Sequence, residues 1–284
     1  MNKPLKYDPK TESLVLRACR ADLTSLNGFS WKAKHVKAPD WSPTTECGSG
    51  LHGWLNGQGN PDVWDHRGGD KWLILAVKTS TVVDLGGKVK FPAARTLYVG
   101  PKVETISLLA SILPGVPVMF ANLTGGNDST LTGGDRSTLT GGQYSTLTGG
   151  DLSTLTGGDL STLTGGYGST LTGGDCSTLT GGYLSTLTGG YGSTLTGGDC
   201  STLTGGQYST LTGGQYSTLT GGQYSTLTGG DLSTLTGGEY STLQIKWWDP
   251  LASRWRIATA YVGEDGIEAN TAYKLDANHQ FIKA

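Results

Sequence analysis

The sequence predicts a mainly β protein: a β-solenoid of sixteen residues per coil and about eight coils, with a small α+β domain before it and a short cap after it. Three observations carry that prediction. The phrase GGxxSTLT runs fifteen times without a gap from Gly125 to Gln244, and only the last copy deviates, ending Ser241-Thr242-Leu243-Gln244. Polar and apolar residues alternate inside the phrase, as they do along a half-buried strand. Composition also changes at both ends of the array, where the chain's 46 glycines are concentrated. The expected regions are 1–116, 117–244 and 245–284.

In the first region, Ser13 to Cys19, Lys71 to Thr79, STVVDL and KVKFP read as strands, with Leu85-Gly86-Gly87-Lys88 as a turn. Val103 to Leu113 has apolar residues at helical spacing and stops at Pro114-Gly115. The expected role of this α+β domain is to cap the first coil. Cys47, His52 and His66 are candidates for a zinc site or a Cys-His nucleophile pair. Their spacing fits no strong metal motif, so Cys47 to Trp54 reads better as a glycine-rich loop held by Trp and His packing. No enzyme, metal or cofactor is expected. The domain is similar to small uncharacterised domains of bacterial and phage proteins, through GLHG and GGKVKF.

In the array, eight residues are too few to close a coil around a core, and sixteen suffice: strand, turn, strand, turn. Pro117 to Thr124, ending in Leu-Thr at the right phase, reads as a degenerate first octad. Side chains alternate along a strand, so Ser and Leu of STLT share one face and the two threonines share the other. Leu goes inside, since a thin solenoid offers it no other shelter. Ser stacks beside it, its hydroxyl bonded to backbone or to a neighbouring Ser. The Gly-Gly pairs are expected to supply tight or left-handed turns. The variable pair forms the corners, with Cys176 and Cys200 on opposite sides and so not bridged.

Pairs of threonines then point to water. They are Thr130 and Thr132, Thr138 and Thr140, Thr146 and Thr148, Thr154 and Thr156, Thr162 and Thr164, Thr170 and Thr172, Thr178 and Thr180, Thr186 and Thr188, Thr194 and Thr196, Thr202 and Thr204, Thr210 and Thr212, Thr218 and Thr220, Thr226 and Thr228, and Thr234 and Thr236. Stacked strands lie about 4.8 Å apart, and the paired threonines about 6.7 Å apart along each strand. Two opposite faces, each about 38 Å long, would carry this lattice of hydroxyls and methyls.

Charge narrows the partners. Net charge is −2, and the array carries seven Asp, one Glu and a single basic residue, Arg136. Nucleic-acid binding relies on basic charge, so it is not expected, and no apolar run approaches the length of a membrane helix. The opening MNKPLKYDPK lacks the apolar core of a secretory signal. Four scattered cysteines do not suggest a disulfide framework. An intracellular location is the default expectation. The threonine columns hold no Lys, Arg, Asp or Glu at all. A flat, charge-free, evenly spaced array suits ordered water, with methyls caging waters and hydroxyls anchoring them.

The phrase GGYGSTLTGGDCSTLT resembles the repeat of bacterial ice nucleation proteins, whose coils run AGYGSTxT followed by AGxxSxLT. Ile245 to Asp276, IKWWDPLASRWRIATAYVGEDGIEANTAYKLD, is similar to the C-terminal cap of that family. Trp247, Trp248, Trp255 and Ile257 are the expected plug of the last coil. The resemblance implies ice or ordered water as partner, the Thr-x-Thr pairs as the ice-binding residues, and a location at the cell surface. Self-association through the solenoid ends or edges is a second expected contact. With so few coils, activity is expected to be weak in a monomer and stronger in an assembly. The competing readings are a structural or adhesive spacer of a phage or cell-surface fibre, and an N-terminal enzyme on a solenoid stalk.

Overall fold

A computed structural model describes residues 5–25, 27–60 and 71–284. The chain divides into two compact units, Met1–Asn122 and Leu123–Ala284.

The first unit is built on one antiparallel sheet. Its strands are β1 (Glu12–Cys19), β2 (His35–Lys37), β3 (Leu51–Leu55), β4 (Lys71–Lys78), β5 (Val83–Asp84), β6 (Val89–Phe91) and β7 (Ala93–Gly100), in the order β2-β7-β4-β1-β3-β6-β5. Helix α1 (Lys102–Ile112) follows β7. The central strands β1 and β4 are nearly continuous apolar runs and are buried along most of their length, as strands covered on both faces must be. Leu85 N–H donates to the Lys88 carbonyl at 2.9 Å, closing the expected turn. One reading changes. The stretch expected as a glycine-rich loop becomes a strand over Leu51–Leu55. Gly53 permits this, because a Cβ there would lie 2.3 Å from Val15 Cγ1 and 2.8 Å from the Leu16 carbonyl oxygen. Only a bare backbone lets β3 lie against β1.

In the second unit, strands recur every eight residues, from β8 (Asn122–Thr124) through β22 (Thr234–Gly237) to β23 (Thr242–Asp249). Alternate strands stack in parallel, giving two sheets. Each residue sits beside the one sixteen before it: Thr154 pairs with Thr138 and Thr170, and Leu155 with Leu139 and Leu171. The coil is therefore sixteen residues, and about eight coils are formed. Leu139 through Leu243 form one fully buried column of stacked leucines. The serines beside them are equally buried. Ser137 Oγ donates to the Gly134 carbonyl at 2.7 Å and lies 3.3 Å from Ser153 Oγ.

The glycines act differently from expectation. Neither glycine of the Gly-Gly pairs is left-handed. The left-handed residue is the second of the variable pair, for example Tyr144 at φ 59°, Leu152 at 56° and Cys176 at 54°. Gly-Gly is required instead by crowding. A Cβ on Gly181 would lie 2.4 Å from Ser185 Oγ, inside the coil. A Cβ on Gly182 would lie 2.9 Å from the Gly166 carbonyl carbon, in the coil below. One glycine makes room for the core, and the other lets coils stack.

The first variable residue has its own reason to be polar. Asp135 Oδ1 accepts the backbone N–H of Asp151 at 3.0 Å, and Asp175 Oδ1 that of Tyr191 at 2.8 Å. Each such carboxylate satisfies a corner donor of the next coil.

The C-terminal end is closed by β24 (Arg254–Tyr261), antiparallel to β23, and by β25 (Ala272–Leu275) on β22, with β26 (Phe281–Lys283) outside it. Closure covers strand edges that would otherwise be open to pairing. The plug is not the tryptophans. Ile245, Val262, Ile267 and Tyr273 complete the leucine column. Alternation in β23 sends Leu243 and Ile245 inward and Trp248 outward, opposite Trp255. Trp248, Trp255 and Ile257 are about half exposed, at 46%, 54% and 53%. Trp247 stacks on His279, with ring centroids 3.4 Å apart.

Among the described residues, no helix is long and apolar enough to cross a membrane.

Candidate functional site

The strand alternation that buries Leu and Ser leaves the threonines on the outer face of each sheet. From Thr138 to Thr210 every one is exposed. Among the expected positions, Thr132, Thr212, Thr228, Thr234 and Thr236 are half-buried, and Thr130, Thr218, Thr220 and Thr226 are exposed. One face stacks Thr138, Thr154, Thr170, Thr186 and Thr202 in strict register. The other stacks Thr146, Thr162, Thr178, Thr194 and Thr210 in the same way. The second threonine of each pair forms a parallel column. Sheet geometry spaces the rungs by about 4.8 Å and the columns by about 6.7 Å.

Two properties set these faces apart from the corners. They carry no charged side chain from Thr138 to Thr220, whereas the acidic residues all fall in the variable pairs. Among the described residues, no threonine hydroxyl in that span bonds to another protein group; the coils are held by backbone hydrogen bonds, joined by the buried serines and the polar corner side chains. The columns change character only at the C-terminal end, where Thr228 Oγ1 donates to Gln244 Oε1 at 3.1 Å.

The corners are exposed too, but they vary. Tyr167 stacks on Tyr183 with centroids 5.8 Å apart, and Tyr208, Tyr224 and Tyr240 stack at 5.0 Å. Cys176 and Cys200 are free thiols. They occupy different corners, since the Cys176 N–H donates to the Tyr191 carbonyl and the Cys200 N–H to that of Gln215.

The N-terminal candidates do not assemble. Cys47 is an exposed free thiol, and no hydrogen bond joins it to His52. His66 lies outside the described residues. No group of three His, Cys, Asp or Glu side chains gathers among the described residues. His52 is half-buried, and burial pushes its pKa down to about 4, helped by the charges of Lys88, Arg17 and Lys90 and opposed by Asp40. Sequence reasoning missed Arg17 and Lys90, two buried cations beside it. For Arg17 the signal was there: it is the one charge inside an apolar strand, SLVLRAC.

Over 103 residues the chain is 43% identical to an ice nucleation protein of Pseudomonas syringae, a stretch covering 35% of this chain and 9% of that protein. An ice nucleation protein of Xanthomonas campestris pv. translucens is 46% identical over 104 residues, covering 36% of this chain and 7% of its own length. Over about a third of its length the chain is thus similar to ice nucleation proteins. Ice nucleation protein InaU of Pantoea ananas aligns over 131 residues at 33% identity, 41% of this chain and 13% of that protein. The matched stretches thus span about a tenth of these ice nucleation proteins. None of the three is named as an enzyme. No family model matches the chain, and no solved structure matches it.

Proposed function

We propose that this protein binds ice through its threonine faces, ordering water on the Thr-x-Thr ladders, weakly as a single molecule and more strongly when copies associate. One contrast carries the reading. Gly, Ser and Leu are constant because the coil interior admits nothing else. The threonines are equally constant, yet they are exposed, and exposed positions of a solenoid need only suit a strand. The corner residues, largely exposed as well, change from octad to octad. Constancy at an exposed position therefore needs a cause outside the fold, and a repeating ligand supplies one. Ice repeats, and its planes have oxygen spacings close to those of the rungs and columns. The unbonded hydroxyls and adjacent methyls support the same ligand, as does kinship with proteins named for ice nucleation. The action is that of a template, without covalent chemistry.

The test uses the purified full chain, separated into monomeric and associated fractions. Each is assayed for incorporation into a slowly growing ice front and for the freezing temperature of small droplets. Both fractions should enter the ice, and the associated fraction should freeze droplets at the warmer temperature. A chain that stays in the liquid and leaves droplet freezing at the buffer value refutes the proposal.

A further inference from the structure

The second unit ends in a hairpin longer than capping requires. β23 pairs with β21 only as far as Ile245, opposite Gly229. Beyond that point Lys246 to Asp249 pair with β24 alone, so the hairpin runs about 13 Å past the coil wall. The leucine column is closed by Ile245, Val262, Ile267 and Tyr273, and no residue from Lys246 to Ile257 belongs to it. What the overhang shows to solvent is apolar. Trp248 and Trp255 meet edge to face, with ring centroids 5.6 Å apart, and Ile257 follows on the same side. Leu251, at the turn, is 98% exposed. The turn that presents it is fixed. Asp249 Oδ1 accepts the N–H groups of Leu251 and Ala252 at 3.0 and 3.1 Å, and its Oδ2 accepts from Arg256 Nε. On the opposite face, Trp247 stacks on His279 and braces the strand. An exposed leucine on an ordered turn, backed by two half-exposed tryptophans, is a patch that calls for a partner.

Charge says what that partner is. Asp249, the one acid of the overhang, is already engaged by Arg256. Lys246 and Arg254 are exposed beside the patch and form no ion pair among the described residues. The segment Lys246 to Ile257 therefore carries +2, from Lys246, Arg254 and Arg256 against Asp249. The array from Gly125 to Gln244 carries −7, from seven Asp and one Glu against Arg136. Glu264 and Asp265 lie past the other end of β24, away from the turn. The partner is thus negative and must receive a projecting apolar tip. A second hairpin of this chain has the same charge and is repelled. The acidic corners of a second copy are convex ridges, and a ridge offers a tip no pocket. A bilayer surface rich in anionic lipid is negative and deformable, and its headgroup boundary takes Trp, Leu and cations together.

We propose that this hairpin docks the protein on an anionic lipid bilayer, with Leu251 entering the headgroup boundary, Trp248 and Trp255 lying at it, and Lys246 and Arg254 meeting lipid phosphates. The acidic array is held off the same surface by its own charge. The hairpin lies on the bilayer and spans nothing. The contact is independent of the threonine faces, and its failure would leave the ice reading untouched.

The experiment sediments the full chain with vesicles of phosphatidylcholine alone and of phosphatidylcholine with about 30% phosphatidylglycerol. Each is run at about 0.1 M and about 1 M salt. The chain should pellet with the anionic vesicles at low salt and stay in solution with the neutral ones. High salt, and separately Arg254→Gln, should weaken binding at least about fivefold. Leu251→Ser, which keeps the charge and alters an almost wholly exposed side chain, should weaken it at least about tenfold. Its circular dichroism spectrum and its incorporation into ice should stay unchanged. No pelleting at about 1 mM lipid, or a Leu251→Ser variant that binds as wild type, would overturn the site. Equal binding to the neutral vesicles would overturn the anionic assignment. Self-association of the lipid-free chain that disappears in Leu251→Ser, without vesicle binding, would give the hairpin to a second copy and overturn the lipid reading.

Discussion

If both sheets template water, one face can be spoiled without disabling the other. Replacing Thr154, Thr186 and Thr218 by Lys interrupts one lattice, and Thr162, Thr194 and Thr226 to Lys interrupts the opposite one; all six are exposed. Spacing decides whether the fold survives. Lysines on adjacent rungs, about 4.8 Å apart, would repel by roughly 0.9 kcal/mol per pair even in water. On alternate rungs the separation doubles to about 9.6 Å and the repulsion falls to about 0.4 kcal/mol. That distance also exceeds the screening length of about 8 Å at physiological salt. The side chains touch nothing in the core, so thermal unfolding should move little. Losing one of two equivalent and independent faces should reduce incorporation into an ice front about twofold at low protein concentration. The six-substitution variant should not enter ice. Two results would refute the reasoning: one three-substitution variant abolishing incorporation while the other is silent, or the six-substitution variant behaving as wild type.

Three further outcomes follow from the interior. Gly190→Ala sets a Cβ 2.2 Å from Asp175 Oδ1 and 2.9 Å from its backbone nitrogen, and should cost about 1–3 kcal/mol in chemical denaturation. Gly192→Asn, two residues on at φ +63° with only Cys176 Sγ at 3.4 Å, should change stability by less than about 0.5 kcal/mol. Leu187→Ala opens a void in the middle of the leucine column, where Leu187 is fully buried, and should cost about 2–5 kcal/mol by the same measurement. His52 sets a pH dependence in the N-terminal unit. An unfolded imidazole takes its proton near pH 6.5, whereas the folded one resists until about 4. Acidification between those values therefore favours unfolding, and His52→Gln should flatten the loss of N-terminal near-ultraviolet signal over that window.

The solenoid was legible because its causes are local. An eight-residue period and a two-residue alternation decide coil length, the inward Leu and Ser and the outward threonines, without any distant contact. Where a reading failed, a contact outside the octad itself was usually part of the cause. The second glycine of each pair exists for the backbone of the coil below, and the left-handed corner then falls on residues such as Tyr144 and Leu152, which sequence habit would not place there. In the cap, bulk suggested Trp248 and Trp255 as the plug. Alternation through Ile245 turns them outward, and smaller residues arriving later in the chain, Val262 and Ile267, fill the end. The Leu51–Leu55 strand was hidden by Gly53, a glycine serving a close approach to β1 rather than a loop. The buried cations Arg17 and Lys90 are 73 positions apart in the sequence, and only the sheet order sets their strands on either side of β3, which carries His52.

The shape of each face limits what one chain can do with ice, and that limit can be tested by lengthening it. A face of about 38 Å by about 6.7 Å is a ribbon. Added coils lengthen the ribbon and never widen it. Adhesion to existing ice should follow contact area, but an ice embryo must reach a critical size in both directions, and the narrow dimension governs. Inserting a second copy of residues 141–188 adds three coils in phase with both sheets and lengthens each face to about 53 Å. Incorporation into an ice front should rise in proportion, about 1.4-fold. Droplets holding the lengthened monomer should freeze hardly warmer than those holding the original. Side-by-side association of original chains should raise the freezing temperature more, because it alone supplies width. A lengthened monomer that freezes droplets as warm as the associated original would show that length governs, and would remove the reason for assigning strong activity to assemblies.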